Sequence, residues 1–88
     1  MKNYDIATVC NIVKNTCEKN GFQCWEVQPC HFIVWFSVQH HKEVVSVWVD
    51  ELGYVEVVNR FTAESFEFEN LDYPYDPDLG MAIYEFFD

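Results

Sequence analysis

Residues 22–61 read FQCWEVQPCHFIVWFSVQHHKEVVSVWVDELGYVEVVNRF, and this stretch decides the fold. Its short runs of Val, Phe, Trp and Tyr have a period of two, which is typical of β-strands. Polar or glycine-containing segments separate the runs, as turns do in an antiparallel meander. We therefore predict four strands, with a break at Pro29 between the first two: residues 22–28, 31–39, 43–50 and 54–61. The second is apolar on both sides, so we expect both of its faces to be at least partly covered.

The segments on either side of this stretch have helical periodicity. In residues 4–20 the apolar side chains recur three or four positions apart, and Asn3 or Asp5 can cap the first turn. Near the other end of the chain, Asp76 suits an N-cap and Pro77 suits the first helical position. We therefore predict a helix before the strands and a second helix after them.

Residues 62–70 fit two structures. Phe66 and Phe68 alternate with Glu67 and Glu69, which indicates a short fifth strand, while the residues before them could open a helical turn. We favour a strand or an extended loop. The 88 residues suffice for one compact domain. The sequence thus predicts a single α+β domain, with an N-terminal helix, an antiparallel meander sheet of four or five strands and a C-terminal helix.

The composition is that of a folded intracellular protein. Half of the residues are hydrophobic and 18% are aromatic, which is too much for a disordered acidic chain. No apolar run is long enough to span a membrane and no signal peptide is recognisable, so we expect a cytoplasmic protein. The four cysteines, at positions 10, 17, 24 and 30, form no C-x-x-C pair. We therefore expect reduced thiols, no metal site and no cofactor.

The sequence contains no catalytic motif that would indicate an enzyme. It has no Gly-rich phosphate loop, no G-x-S-x-G and no H-E-x-x-H. Cys30 and His31 could be drawn as a nucleophilic dyad, but neighbouring residues of a strand point to opposite faces. His40 and His41 lie in a predicted turn. We therefore predict that the protein is not an enzyme.

A calcium site is the other chemistry that the acidic residues suggest. Asp72, Asp76 and Asp78 are close in sequence, and carboxylate oxygens are calcium ligands. Pro74 and Pro77 stiffen the backbone where such a loop would have to bend around an ion. We therefore predict no metal site in this segment.

The acidic side chains are concentrated in the second half of the chain. Residues 43–88 contain twelve Asp and Glu opposed by Arg60 alone, whereas the first 42 residues are nearly balanced. With five Lys and Arg in total, direct nucleic-acid binding is excluded, because it requires clustered cations. Carboxylates at short intervals present to a basic groove much of what a nucleic-acid backbone presents. We therefore expect a basic protein partner, such as a nucleic-acid-binding nuclease or effector complex, and no membrane contact; the oligomeric state stays open.

The candidate partner-binding residues are acids of this half and two nearby tyrosines. Glu67 and Glu69, two positions apart on an extended segment, would lie about 7 Å from each other on one face. The tyrosines would supply desolvated anchors beside the charges. The full set is Glu64, Glu67, Glu69, Asp72, Tyr73, Tyr75, Asp76, Asp78, Asp50, Glu51 and Glu56.

In size, charge and lack of motifs, the chain resembles the small acidic inhibitors encoded by phages and mobile elements, such as anti-CRISPR and other DNA-mimic proteins. It resembles less closely the acidic immunity proteins that block nuclease toxins. The resemblance implies an inhibitor that blocks a basic nucleic-acid-binding surface of a defence enzyme in the host cytosol, and it transfers no functional residue. The alternative is a housekeeping interaction module or oligomeric subunit whose acids only keep it in solution.

Overall fold

The computed structural model describes residues 4–30 and 33–87, with the side chains of residues 28–30 left aside. The order of elements confirms the predicted α+β class. None of the helices among these residues is long and apolar enough to cross a membrane. The elements are α1 (Ile6–Lys19), β1 (Gln23–Cys30), β2 (Ile33–His40), β3 (Glu43–Val49), β4 (Val55–Val58), β5 (Ser65–Phe68) and α2 (Pro77–Glu85).

The strands form one antiparallel sheet in chain order, from β1 at one edge to β5 at the other. The ambiguous segment thus contributes a fifth strand. Phe66 lies opposite Val57 of β4, and Phe68 lies opposite Val55. Both Val55 and Val57 are buried, so this register turns the two phenylalanines toward the apolar side of the sheet. Pairing with β4 is what favours a strand over a helical turn here.

Pro29 does not end the first strand, contrary to the sequence-based prediction. β1 continues through it to Cys30. A proline is tolerated there because β1 is an edge strand, whose outer N–H groups need no partner in the sheet. The pairing with β2 is nevertheless irregular, with a register shift between Val27 and Cys30.

Both helices pack on the same face of the sheet. Phe36, Val47 and Val57 lie in one cross-strand row and are fully buried. They belong to a single apolar cluster with residues of α1 and α2, so the two helices cover this face. The opposite face is covered by no helix of the described residues. The helical members of the cluster are Val9, Cys10, Ile12, Val13 and Cys17 of α1 and Leu79 and Ile83 of α2.

Of the two caps predicted for the first helix, the structure has Asp5, while Asn3 lies outside the described residues; Asp76 is confirmed as the N-cap of α2. The Asp5 carboxylate accepts a hydrogen bond from the Thr8 N–H at 2.8 Å. Asp76 does more than cap α2: one carboxylate oxygen accepts from the Leu79 N–H at 3.0 Å and the other from the Asp72 N–H at 2.9 Å. The Asp76 N–H in turn donates to the Thr16 hydroxyl at 3.0 Å. Asp76 therefore fixes the loop before α2 against α1.

Candidate protein-binding surface

The sheet face opposite the helices carries the three tryptophans and part of the predicted acidic set. Trp35 lies opposite Trp48, Trp48 opposite Glu56, and Glu56 opposite Glu67, so these four side chains form one row across β2 to β5. Side chains two positions away on each strand share this face. We call it the uncovered face, and it comprises Gln23, Trp25, Val27, Ile33, Trp35, Ser37, Gln39, Val44, Ser46, Trp48, Glu56, Val58, Ser65 and Glu67.

The centre of the uncovered face is a stacked pair of indoles. The ring centroids of Trp35 and Trp48 lie 5.0 Å apart, and the planes are inclined by 10°. The Nε1 atom of Trp35 is buried and has no hydrogen-bond partner within residues 4–30 and 33–87. A buried donor without a partner costs about 1–3 kcal/mol of stability. The indole pair is therefore packed at some cost to the fold.

Beside the indoles, two carboxylates of like charge are brought together. Glu56 of β4 and Glu67 of β5 are directly opposite each other. Side chains in such positions have Cβ atoms about 4.5–5.5 Å apart, and like charges there destabilise the sheet. Neither carboxylate forms an ion pair with a residue of the described part. The ion pair found there joins Lys14 and Glu26, at 3.8 Å, on the helix-covered side.

A depression of about 570 Å³ opens next to this carboxylate pair, where β3, β4 and β5 meet the β3–β4 turn. Both aromatic and acidic side chains line it. An indole or phenol ring beside paired carboxylates can hold a cation by stacking and by charge-assisted hydrogen bonds together. The side chains that line it include Ile33, Trp48, Tyr54, Asp50, Glu56, Glu67 and Glu69.

The structure therefore gathers four of the eleven predicted partner-binding residues at one place. Glu56, Glu67 and Glu69 are available to a partner there. Asp50 has a second task, since one of its carboxylate oxygens accepts from the N–H groups of Leu52 at 2.9 Å and of Tyr54 at 3.0 Å. Asp50 thereby holds the β3–β4 turn in shape.

Three other predicted residues are engaged within the chain. Asp76 is buried, and both of its carboxylate oxygens cap backbone N–H groups, so we assign it a structural role instead of partner contact. Tyr75 lies under the Lys19 ammonium, 5.0 Å from the ring centroid. The Tyr73 ring packs 6.2 Å from that of Tyr4. These tyrosines lie along α1, away from the uncovered face.

The remaining four predicted residues are exposed and lie apart from the depression. Glu51 is in the β3–β4 turn, Glu64 precedes β5, and Asp78 is in the first turn of α2. Asp72 is exposed in the loop before α2, and its N–H is tied to Asp76. The segment from residue 64 to residue 78 is thus not one continuous surface.

Aromatic anchors near the carboxylates were expected from the sequence, but no individual tryptophan was among the predicted partner-binding residues. In the sequence, Trp35 and Trp48 alternate with the apolar residues that fill the core side of their strands. This alternation indicates that the two tryptophans share the other face of the sheet. We expected both faces of the second strand to be at least partly covered, and on this face Trp35, Ser37 and Gln39 are indeed half-buried. No helix covers the Ile33 side in the described part, and Ile33 itself is 38% exposed.

The thiols of the described part lie on the helix-covered side. A hydrogen bond between Cys17 and Cys24 raises the pKa of Cys17 and lowers the pKa of Cys24. Burial raises the pKa of Cys10. All three are free cysteines. His31, the other half of the Cys–His dyad considered above, lies outside the described residues.

No group of three or more His, Cys, Asp or Glu side chains that could hold a metal ion is found within residues 4–30 and 33–87. What distinguishes the uncovered face is the succession of stacked indoles and opposed carboxylates in one row. No family model, curated protein or solved structure matches this chain.

Proposed function

We propose that this protein binds a basic protein surface with the uncovered face and inhibits its partner by occupying a nucleic-acid-binding site. The observation that carries the proposal is the direct opposition of Glu56 and Glu67 beside the Trp35–Trp48 stack. Charges that serve only solubility gain nothing from being opposed, because like charges across a strand pair destabilise the sheet. A basic partner would relieve this repulsion.

Electrostatics supports a basic partner. The chain has a formal net charge of −10, and its uncovered face includes no Lys or Arg. Such a field attracts a cationic groove and raises the association rate, acting over about 8 Å at physiological salt. The exposed aromatic rings would then supply the desolvated contacts that slow dissociation.

The class of partner follows from this chemistry. Grooves dense in Lys and Arg are those that hold nucleic-acid phosphates, and carboxylates at strand spacing can take the place of phosphates. The partner is accordingly a nuclease or effector complex of a defence system, and the protein acts in the host cytosol as a product of a phage or mobile element. The small size, the charge and the resemblance to DNA-mimic inhibitors support this assignment.

The alternative of an oligomeric subunit has weaker support. A second copy of the chain would bring another net charge of −10 to the interface. The uncovered faces of the two copies would bring their carboxylates together, and neither face includes a Lys or Arg to pair with them. Burying unpaired carboxylates is costly, so a face-to-face dimer is disfavoured.

Capture of host proteins by immobilised protein tests the proposal when it is combined with an inhibition assay. The test variant is Glu56→Lys/Glu67→Lys. The matched control is Glu18→Lys/Glu85→Lys, which changes the net charge equally at exposed positions on the helices. We expect wild type and control to capture a nucleic-acid-binding protein at about 0.05 M salt and to lose it at about 0.5 M.

The captured protein should lose its nucleic-acid binding when one equivalent of wild type is added, and the test variant should neither capture nor inhibit it. Equal capture and inhibition by wild type and the Glu56→Lys/Glu67→Lys variant would show that the uncovered face is not the binding surface.

A further inference from the structure

We infer that the partner side chain bound at the depression is an arginine, with its guanidinium flat against the half-buried ring of Trp48 and hydrogen-bonded by Glu56 and Glu67. This inference rests on the proposed function and specifies the chemistry of the residue that the partner inserts.

The order of side chains in the row supports arginine. Trp48 lies directly between Trp35 and Glu56, and Glu67 follows Glu56. Neighbours in such a row have Cβ atoms about 4.5–5.5 Å apart. A ring face and two carboxylates are therefore within reach of a single planar group with several N–H donors. The guanidinium is the protein side chain that has this shape.

The aromatic component discriminates between the two basic side chains. A guanidinium can stack on an indole while its edge donates to carboxylates, whereas an ammonium is a compact charge that prefers its hydration shell. Tryptophan is also the ring that holds cations best. The ring of Trp48 stacks on that of Trp35 with the two planes inclined by only 10°. This contact sets the orientation of the Trp48 ring.

The chain does not fill this position with its own lysines. The cation–π contacts of the described residues lie on the side of α1, where Lys19 is 5.0 Å from the Tyr75 ring and Lys14 is 5.9 Å from the Phe36 ring. The depression is lined by carboxylates and rings with no basic side chain among its lining residues. It is thus complementary in charge to a cation from outside.

A second copy of this chain is the competing occupant, because Arg60 is exposed after β4. Two copies would have to approach against a net charge of −10 on each. The charge argument therefore favours a basic partner over self-association, and sedimentation distinguishes the two.

Calorimetric titration with octa-arginine and octa-lysine peptides tests the inference. The proteins are wild type, Glu56→Gln/Glu67→Gln, Trp48→Leu, Trp48→Phe and the control Glu18→Gln/Glu85→Gln, each checked for folding by circular dichroism. We expect wild type and control to bind octa-arginine about two- to fivefold more tightly than octa-lysine. Trp48→Leu should abolish this preference for octa-arginine, and Trp48→Phe should retain part of it. Glu56→Gln/Glu67→Gln should weaken the binding of both peptides.

The outcomes separate the inference from the proposed function. Equal binding of the two peptides to wild type, with both weakened by Glu56→Gln/Glu67→Gln, overturns the arginine inference and leaves the basic-surface proposal standing. Unchanged binding of both peptides to that double variant overturns the site and the proposal together. A concentration-dependent dimer that disappears in Arg60→Ala would identify a second copy as the occupant and overturn the inference.

Discussion

Replacing Glu67 by lysine should stabilise the protein, although it alters an exposed residue of the proposed binding surface. In the wild type, Glu67 faces Glu56 directly across β4 and β5. An opposite-charge pair at such positions contributes about 0.2–1 kcal/mol, and a like-charge pair costs a similar amount. Glu67→Lys replaces the like-charge pair by an opposite-charge pair, so the two effects add and the free energy of unfolding should rise by about 0.4–2 kcal/mol.

Urea and thermal unfolding followed by circular dichroism measure this gain. For a domain of this size, about 1 kcal/mol corresponds to a Tm shift of about 4–8 °C. At about 1 M NaCl the screening length falls to about 3 Å, so most of the gain should disappear. Glu51→Lys is the control, because it changes the net charge equally in the exposed β3–β4 turn.

The same Glu67→Lys protein should bind octa-arginine more weakly than wild type. Stability and binding would then move in opposite directions, as expected of a residue placed for a partner. A Tm that is unchanged or lower, or a rise of the same size in Glu51→Lys, would refute the reasoning from the opposed carboxylates.

Three further predictions concern the fold around the surface. Asp76→Ala should lower the free energy of unfolding by about 2–4 kcal/mol in urea titrations, because two backbone N–H groups lose a charged acceptor; a loss below about 1 kcal/mol would contradict this. Trp35→Phe should cost less than about 1 kcal/mol, since it also removes the unpartnered Nε1–H, and a loss above about 2 kcal/mol would count against that donor being costly. The hydrogen bond from Thr8 lowers the pKa of Asp5 below its ordinary 3.8, so its stabilising contribution is present above that pH and is lost as the pH falls through the folded-state pKa. Asn at position 5 can also cap α1 but does not titrate, so the Tm of the wild type should fall relative to that of Asp5→Asn only below about pH 4. A Tm difference independent of pH would disprove the assignment.

Local signals in the sequence were enough to predict the helix starts and most strands. Asp5 and the Asp76–Pro77 pair cap helices through contacts with residues three positions away, which a sequence reveals directly. The strand runs followed from alternation. β5 stayed ambiguous because what makes residues 65–68 a strand is their pairing with β4, a contact that local propensity does not report.

Which face of the sheet would be covered could not be predicted. The strands offer apolar side chains on both sides, and the choice depends on where α1 and α2 dock. Glu56 and Glu67 were both candidates, yet their opposition depends on the register set by the β4–β5 turn. That turn is fixed by the Asn59 side chain, which accepts from the N–H groups of Phe61 and Thr62, and by Ala63 at φ 64°.

The most direct measurement of the central claim is an amide and indole NMR titration of the protein with octa-arginine at about 0.05 M NaCl. If the uncovered face is the binding surface, the largest shifts should fall on β3, β4 and β5 and on the indole N–H signals of Trp35 and Trp48. The signals of Glu18 and Glu85 should barely move. Shifts spread evenly over the acidic residues of the helices and loops, with the indole signals unmoved, would contradict the account.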